Sequence, residues 1–516
     1  MTRRRRAGNP APTTLKALLV ACRAMADRSV WALALLLSAP ALAGCLSSPV
    51  EQAATSAELP SASPAYVVTD ATGALVTPPS DSPLADPIRL VERLLGQRGG
   101  EPNIGATSSG AVFVTAGHAT MRSTDLGATW EEVFNLSAAL PQLPPQAGPA
   151  RVTRSSDPML WVDPITDRVF TDHMSGLYCS NLFWSDDDGA KWTMRPWACG
   201  IPVNDHQKVA TGAYGPMLAK PPNPVYDTVV YYCYNKLVST QCAVSYDGGL
   251  SFPVDRTVAV GFLDGCGGIN GHPAAAPDGT VYVPMNEGCD APYVGVSQDN
   301  GLSWEVRKGP DDHGAEEIDP DVTVTPDGTA YYVWRGSDHL QYLARSKDRF
   351  ETWEGPWRVS PPHVTSTVFT GITSGDDGKI ALAFLGTDDT DEYAQEAPPE
   401  TRWHLYVTYS LDAASEAPTF ATTQVTPEED PVQVGCVWLA GGSGGERECR
   451  NMLDFIDVTS DREGRVYVAF TDGCTLECAG YLEVDEMNSR RRDGAVAAIA
   501  DGPLLVGGGW VSQTPG

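Results

Sequence analysis

The chain has 516 residues and an acidic balance, 36 Lys and Arg against 65 Asp and Glu, for a formal net charge of −29. That charge argues against nucleic acid or anionic lipid as a partner. Gly (50) and Pro (41) are abundant and no segment beyond the N-terminus keeps an apolar stripe at helical spacing, which excludes a helical bundle and points to many turns.

The first segment is a leader. Arg3 to Arg6, Lys16, Arg23 and Arg28 precede the apolar run VWALALLLSAPALA, too short and wrongly flanked for a stable membrane span. The run ends in Leu42-Ala43-Gly44-Cys45. This order of basic leader, apolar run and Cys resembles the lipobox of prokaryotic lipoproteins. The resemblance implies cleavage after residue 44 and lipidation of Cys45, hence an exported protein held at the cell envelope by its N-terminal lipid. An ordinary secretory signal cut near Ala43 is the alternative, and it also gives export. Without residues 1–44 the chain keeps 29 basic against 64 acidic residues, so the exported part is more acidic still.

Residues 45–86 are rich in Ser, Ala, Pro and Thr and lack apolar periodicity, which reads as a flexible tether. From residue 87 to about 510 the chain reads as one domain. The strings STDLGATW, SDDDGAKW, SYDGGLSF and SQDNGLSW start at residues 123, 185, 245 and 297. Weaker copies, SKDRFETW and SLDAASEAPTF, start at 346 and 410. Spacings of 49 to 64 residues indicate repeated supersecondary units. Within each unit a short strand leads to a turn such as PDG, then an alternating strand, a third strand, the repeated string and a fourth strand. Four antiparallel strands per unit predict an all-β fold, a β-propeller. Units begin near Glu101, Asp157, Asp205, His272, Asp319 and Thr365, and a last one runs from LDFIDV to GPLLV without the string. Seven blades are expected, with PIRLVERLL (87–95) able to add a closing strand to the last; six is the alternative if these merge.

Ten cysteines remain beyond Cys45, as neighbours Cys179/Cys199, Cys233/Cys242, Cys266/Cys289, Cys436/Cys449 and Cys474/Cys478. An even count in an exported chain predicts disulfides, most simply between nearest neighbours. The competing reading is zinc at CTLEC (474–478), which has metal-like spacing but no second close Cys/His pair.

The repeated string, Ser-x-Asp-x-Gly-x-x-Trp, resembles the Asp box of the sialidase superfamily, also called the bacterial neuraminidase repeat. Its carboxylates, Asp125, Asp187, Asp247, Asp299 and Asp348, are placed to accept turn N–H groups. Its aromatic rings, Trp130, Trp192, Phe252, Trp304 and Trp353, can bury between sheets. A catalyst needs groups converging on one point, whereas this hairpin recurs around a ring, so these residues read as structural.

Ligands of a propeller usually meet the mouth of its channel, where each innermost strand starts. Those starts carry Glu101, Asp157, Asp205, His206, Asn270, His272, Asp319, Asp321 and Asp454, which are the ligand-binding candidates. No cofactor is certain; an oxygen-rich ring of this kind suits Ca²⁺. The alternative is that each acid caps a loop or strand.

The sialidase resemblance implies three arginines for a substrate carboxylate, a Tyr nucleophile assisted by Glu, and an Asp acid/base. The family's Arg-Ile-Pro motif is absent before Ser123. Arg122, Arg154, Arg335 and Arg345 are not assigned to the trio by any pattern, and Arg122 and Arg345 sit on third strands away from the channel. Glu316 and Glu317 are among many acids that nothing pairs with a Tyr. Catalytic residues are therefore unassigned. The expectation is a monomeric, envelope-anchored propeller that binds glycans or extracellular proteins. A diverged exo-glycosidase and a protein-assembly scaffold are the alternatives.

Overall fold

The computed structural model describes residues 65–139, 156–175, 179–197, 205–215, 217–218, 220–236, 238–286, 289–316, 319–437, 449–474 and 492–512. These form seven antiparallel sheets, each an up-and-down run with its first strand innermost. Blade one is Ile104–Ala106, Val112–Ala116, Ala119–Ser123 and Glu131–Asn135. Blade two is Ser156–Val162, Val169–Ser175, Cys179–Ser185 and Thr193–Trp197. Blade three is Asp205–Gly212, Val229–Lys236, Ser239–Ser245 and Val254–Val260. Blade four is Ala274–Ala275, Val281–Met285, Tyr293–Ser297 and Glu305–Lys308, and blade five Asp321–Val324, Ala330–Arg335, Gln341–Ser346 and Glu354–Arg358. Blade six is Ser366–Ser374, Ile380–Thr387, Arg402–Ser410 and Phe420–Gln424. Blade seven takes Asp457–Ser460, Val466–Asp472 and Asp493–Pro503 from the C-terminal part, and its outer strand is Arg89–Arg98. The closing strand therefore exists, pairing Leu90 with Ile499 and Leu94 with Ala495, and seven blades rather than six make the ring.

One expectation is corrected. Residues 65–86 are not tether: Tyr66–Thr69 adds a fifth strand to blade six, in register with Phe420–Thr423. The Val67-Val68 pair supplies β propensity that the surrounding Pro and Ser mask. Val68, Leu84 and Ile88 bury in the core shared by blades six and seven, and the Tyr66 hydroxyl donates to the Leu84 carbonyl at 2.8 Å.

The Asp boxes hold the blades together. In each of five copies the Ser hydroxyl donates to the Asp carboxylate and accepts the N–H four residues on. The carboxylate in turn accepts the N–H two residues beyond that, as in Thr129 to Asp125 at 2.9 Å. The same set recurs at Asp187, Asp247, Asp299 and Asp348. The turn needs a positive φ, which Gly supplies in four copies; in the fifth Phe350 adopts it, at 65°. The sixth copy survives its insertion, since Asp412 still accepts from Ser410 (3.1 Å) and from the Thr419 N–H (2.8 Å).

Each box ring wedges against the preceding blade. Trp130 packs into the cluster containing Tyr467 and Val496 of blade seven, and Trp192 against Phe113 and Val133 of blade one. Phe252, Trp304 and Trp353 do the same against blades two, three and four. Phe252 is buried and the four tryptophans are partly so, and burying an aromatic ring of this kind contributes up to roughly 2 kcal/mol. Arginines add a second link. Arg122 donates to the Asp188 carbonyl, Arg168 to Gly248, Arg307 to Arg349 and Arg345 to Ala413, each reaching the box of the following blade. Arg122 and Arg345 are thus structural clamps, as their third-strand positions imply.

Disulfides Cys233–Cys242, Cys266–Cys289 and Cys436–Cys449 are present as expected. Cys474 is also disulfide-bonded. The expected pairs with Cys199 and Cys478, like Arg154, Glu317 and Cys45, involve residues outside the described ones.

Two outcomes test this architecture. Asp299→Ala removes three accepted hydrogen bonds and is expected to cost roughly 1–3 kcal/mol in chemical denaturation. Deleting residues 1–98 bares the edge of blade seven and is expected to abolish cooperative unfolding; an unchanged melting transition would refute the role of the closing strand.

Candidate functional site

The inner strands begin with a shared distortion. Glu101, Asp157, His206, Phe369 and Leu453 all have positive φ, between 46° and 63°, a costly conformation for a non-glycine residue. In blades two, three and six the register slips at the same place, a β-bulge that turns the first side chains toward the axis. The acids and imidazoles chosen from sequence therefore do meet, but they divide into three groups.

The first group is an ion network. His206 Nδ1 lies 3.2 Å from Asp319 and its Nε2 3.5 Å from Asp454. The Lys208 ammonium is fully buried, 3.4 Å from Asp319 but without hydrogen-bond alignment, and sits over the Phe455 ring. Arg450 grips Asp454 with both terminal nitrogens. Burial opposes charge on His206, but Asp319 and then Asp454 outweigh it and raise its pKa well above the usual value. Burial likewise pushes Asp454 up, and Arg450 and His206 override it to hold the carboxylate ionised.

The second group latches neighbouring blades. Asp321 of blade five accepts the Ile372 N–H of blade six at 2.9 Å. Asp457 of blade seven accepts the Ile104 N–H of blade one at 2.8 Å. Asn270 is buried and its amide donates only to the Gly271 carbonyl, at 3.1 Å. The Asn270 Oδ1 and the neighbouring His272 Nε2 are buried without hydrogen-bond partners.

The third group lines an open cavity of about 740 Å³ at the seam between blades seven, one and two. Its polar walls include Glu101, Asp157, His118 and three arginines, Arg98, Arg450 and Arg492. Burial lowers the Arg492 pKa, and the nearby Arg98 charge lowers it further. The Arg492 Nε is buried with no hydrogen-bond partner. Glu101 does not neutralise the cluster: burial, then Asp157 and Asp454, raise its pKa well above the carboxylate range and keep it protonated. Asp205, beside Asp157, is pushed up to about 7 by burial and that neighbour. The cavity thus sets Arg98 and Arg492 beside a neutral Glu101, while the third guanidinium, Arg450, is already paired with Asp454. No tyrosine is among the described residues that line it.

These arginines escaped the sequence reading because none lies in the repeat. Arg98 ends the closing strand, Arg450 follows the bridged Cys449, and Arg492 precedes the strand Asp493–Pro503. A search for basic residues just before strand starts would have found only Arg492. Arg335, considered earlier, is instead buried in an ion pair with Glu316, which also faces His339 at 3.0 Å.

Residues 206–425, which run from blade three into the end of blade six, match the family model of the BNR repeat-like domain. The chain is thus an all-β, seven-bladed propeller that carries a BNR repeat-like segment. No curated protein matches it in sequence. Among solved structures it resembles a protein of unknown function from Dyadobacter fermentans, at 13% identity over 80% of this chain and 97% of that one, with a TM-score of 0.39. It also resembles the intramolecular trans-sialidase of Ruminococcus gnavus (13% identity; 78% and 96% covered; TM-score 0.37). An α-L-arabinofuranosidase of Fusarium graminearum is similar at 15% identity, with 65% and 96% covered and a TM-score of 0.38.

Buried carboxyls also set a pH dependence. Burial raises Asp172 to about 7; burial with Asp430 raises Glu92 to about 7, and burial with Glu92 raises Asp472 to about 8. A carboxyl raised in the fold keeps its proton where the unfolded chain, with a pKa near 4, has lost it. Its stabilisation is complete below the unfolded value and disappears as pH rises through the folded one. The melting midpoint is expected to fall from pH 5 to pH 8, less steeply in Asp172→Asn. A midpoint that rises over this range, or a variant with the parent slope, contradicts the assignment.

Proposed function

We propose that this chain is an exported propeller, anchored at the cell envelope through lipidated Cys45, that binds carboxylate-bearing glycans at the mouth of its channel. The observation that carries this reading is the cavity at the ring seam, where Arg98 and Arg492, beside the Asp454-bound Arg450, line space for a sugar-sized ligand. Guanidinium groups match carboxylates with paired, charge-assisted hydrogen bonds. The partly buried Arg492 gains most, since its Nε has no protein acceptor and an anion would supply one. An acidic sugar also relieves the repulsion between Arg98 and Arg492. The export signal, the tether and the cysteine bridges support an extracellular ligand.

A glycoside hydrolase is the second reading, favoured by one feature. Protonated Glu101 faces Asp157 in the same cavity, so an acid and a second carboxyl share the site. A carboxyl held neutral at pH 7 is suited to protonate a leaving oxygen.

A glycan array run beside a panel of fluorogenic glycosides separates the readings. Binding to acidic glycans and not to their neutral counterparts is expected, weakening with salt. Arg492→Met is expected to weaken it at least tenfold. Turnover that disappears in Glu101→Gln would replace the binding reading with the hydrolase. Silence on every glycan would refute both and favour a protein partner.

A further inference from the structure

We infer that His272, Asp321 and Asp457 form a binding site for one divalent transition-metal cation of the zinc type in the wall of the central channel. The three residues come from blades four, five and seven, and one ligand atom from each lies within 4.8 Å of the others. All three side chains are buried. The backbone explains how they meet. A parallel bridge joins His272 to Asp321, and a Cβ on Gly271 would stand 1.6 Å from the Pro320 carbonyl oxygen. Only glycine allows that approach, which seats the imidazole beside the Asp321 carboxylate.

The donor chemistry is unfinished without an ion. His272 Nε2 is buried and has no hydrogen-bond partner. Each carboxylate oxygen of Asp321 accepts one backbone N–H, from Val322 at 2.7 Å and Ile372 at 2.9 Å. Asp457 is held the same way by Val458 and Ile104, both at 2.8 Å. Such bonds fix the carboxylates as the outer partners of metal ligands do, and a lone pair remains on every oxygen. One imidazole nitrogen with two carboxylates suits zinc and leaves its fourth position open. It does not suit Ca²⁺, which takes six to eight oxygens.

The test uses the folded, chelator-stripped chain titrated with ZnCl₂ and, separately, CaCl₂ by calorimetry and thermal melting. One zinc per chain and a higher melting midpoint are expected, with calcium at least a hundredfold weaker. His272→Phe sacrifices no Nε2 hydrogen bond, so it is expected to melt like the metal-free parent and to lose the zinc response. Asp457→Asn is expected to lose it as well. No zinc binding by the parent, unchanged binding in His272→Phe, or a preference for calcium would each overturn the assignment.

Discussion

The ring closes through one antiparallel pairing between chain ends, Arg89–Arg98 against Asp493–Pro503. A seven-bladed ring without it would leave blade seven with a bare edge and Leu90 and Leu95 without their core positions. The other links between blades are local and repeated, box ring against sheet and arginine against box carbonyl. Closure is neither, since it joins residues some four hundred positions apart, and loop closure over that distance costs entropy that only a complete ring repays.

Closure also builds the cavity. Its register places Arg98 opposite Asp493, and the Gly99 N–H donates to the Arg492 carbonyl at 2.7 Å. Arg98 and Arg492 therefore stand together only in the closed ring, with Glu101 three residues further on. Packing alone gives no reason to put two guanidinium groups side by side, and the buried Glu101 beside them is neutral. Deeper in the channel charge is matched instead, as His206, Lys208 and Arg450 answer Asp319 and Asp454. The contrast between this matched axle and the Arg98 and Arg492 pair at the mouth separates structural from ligand-facing polarity.

The architecture was legible because it repeats. A string with fixed Ser, Asp, Gly and Trp positions reports a turn of one geometry, and its period reports the blade. Even the decayed copies obey the geometry, with Phe350 accepting a glycine's φ and Asp412 reaching across an insertion. The inner-strand acids were legible for the same reason: Glu101, Asp157, His206, Asp319 and Asp454 occupy equivalent starts and meet near the axis. What carries no period stayed hidden. Arg98, Arg450 and Arg492 come from three unrelated segments that only closure unites. Lys208 looked like an ordinary strand residue, and Asp457 lies three residues past the start chosen for its blade. The strand Tyr66–Thr69 was lost in a Pro- and Ser-rich stretch because four residues are too few to show alternation.

The most direct measurement is a crystal structure with an acidic monosaccharide bound. The ligand is expected at the seam cavity, its carboxylate within hydrogen-bond distance of Arg492 and Arg98 and its ring toward Glu101 and Asp157. A ligand bound elsewhere on the propeller, with those guanidinium groups uncontacted, would contradict the central claim.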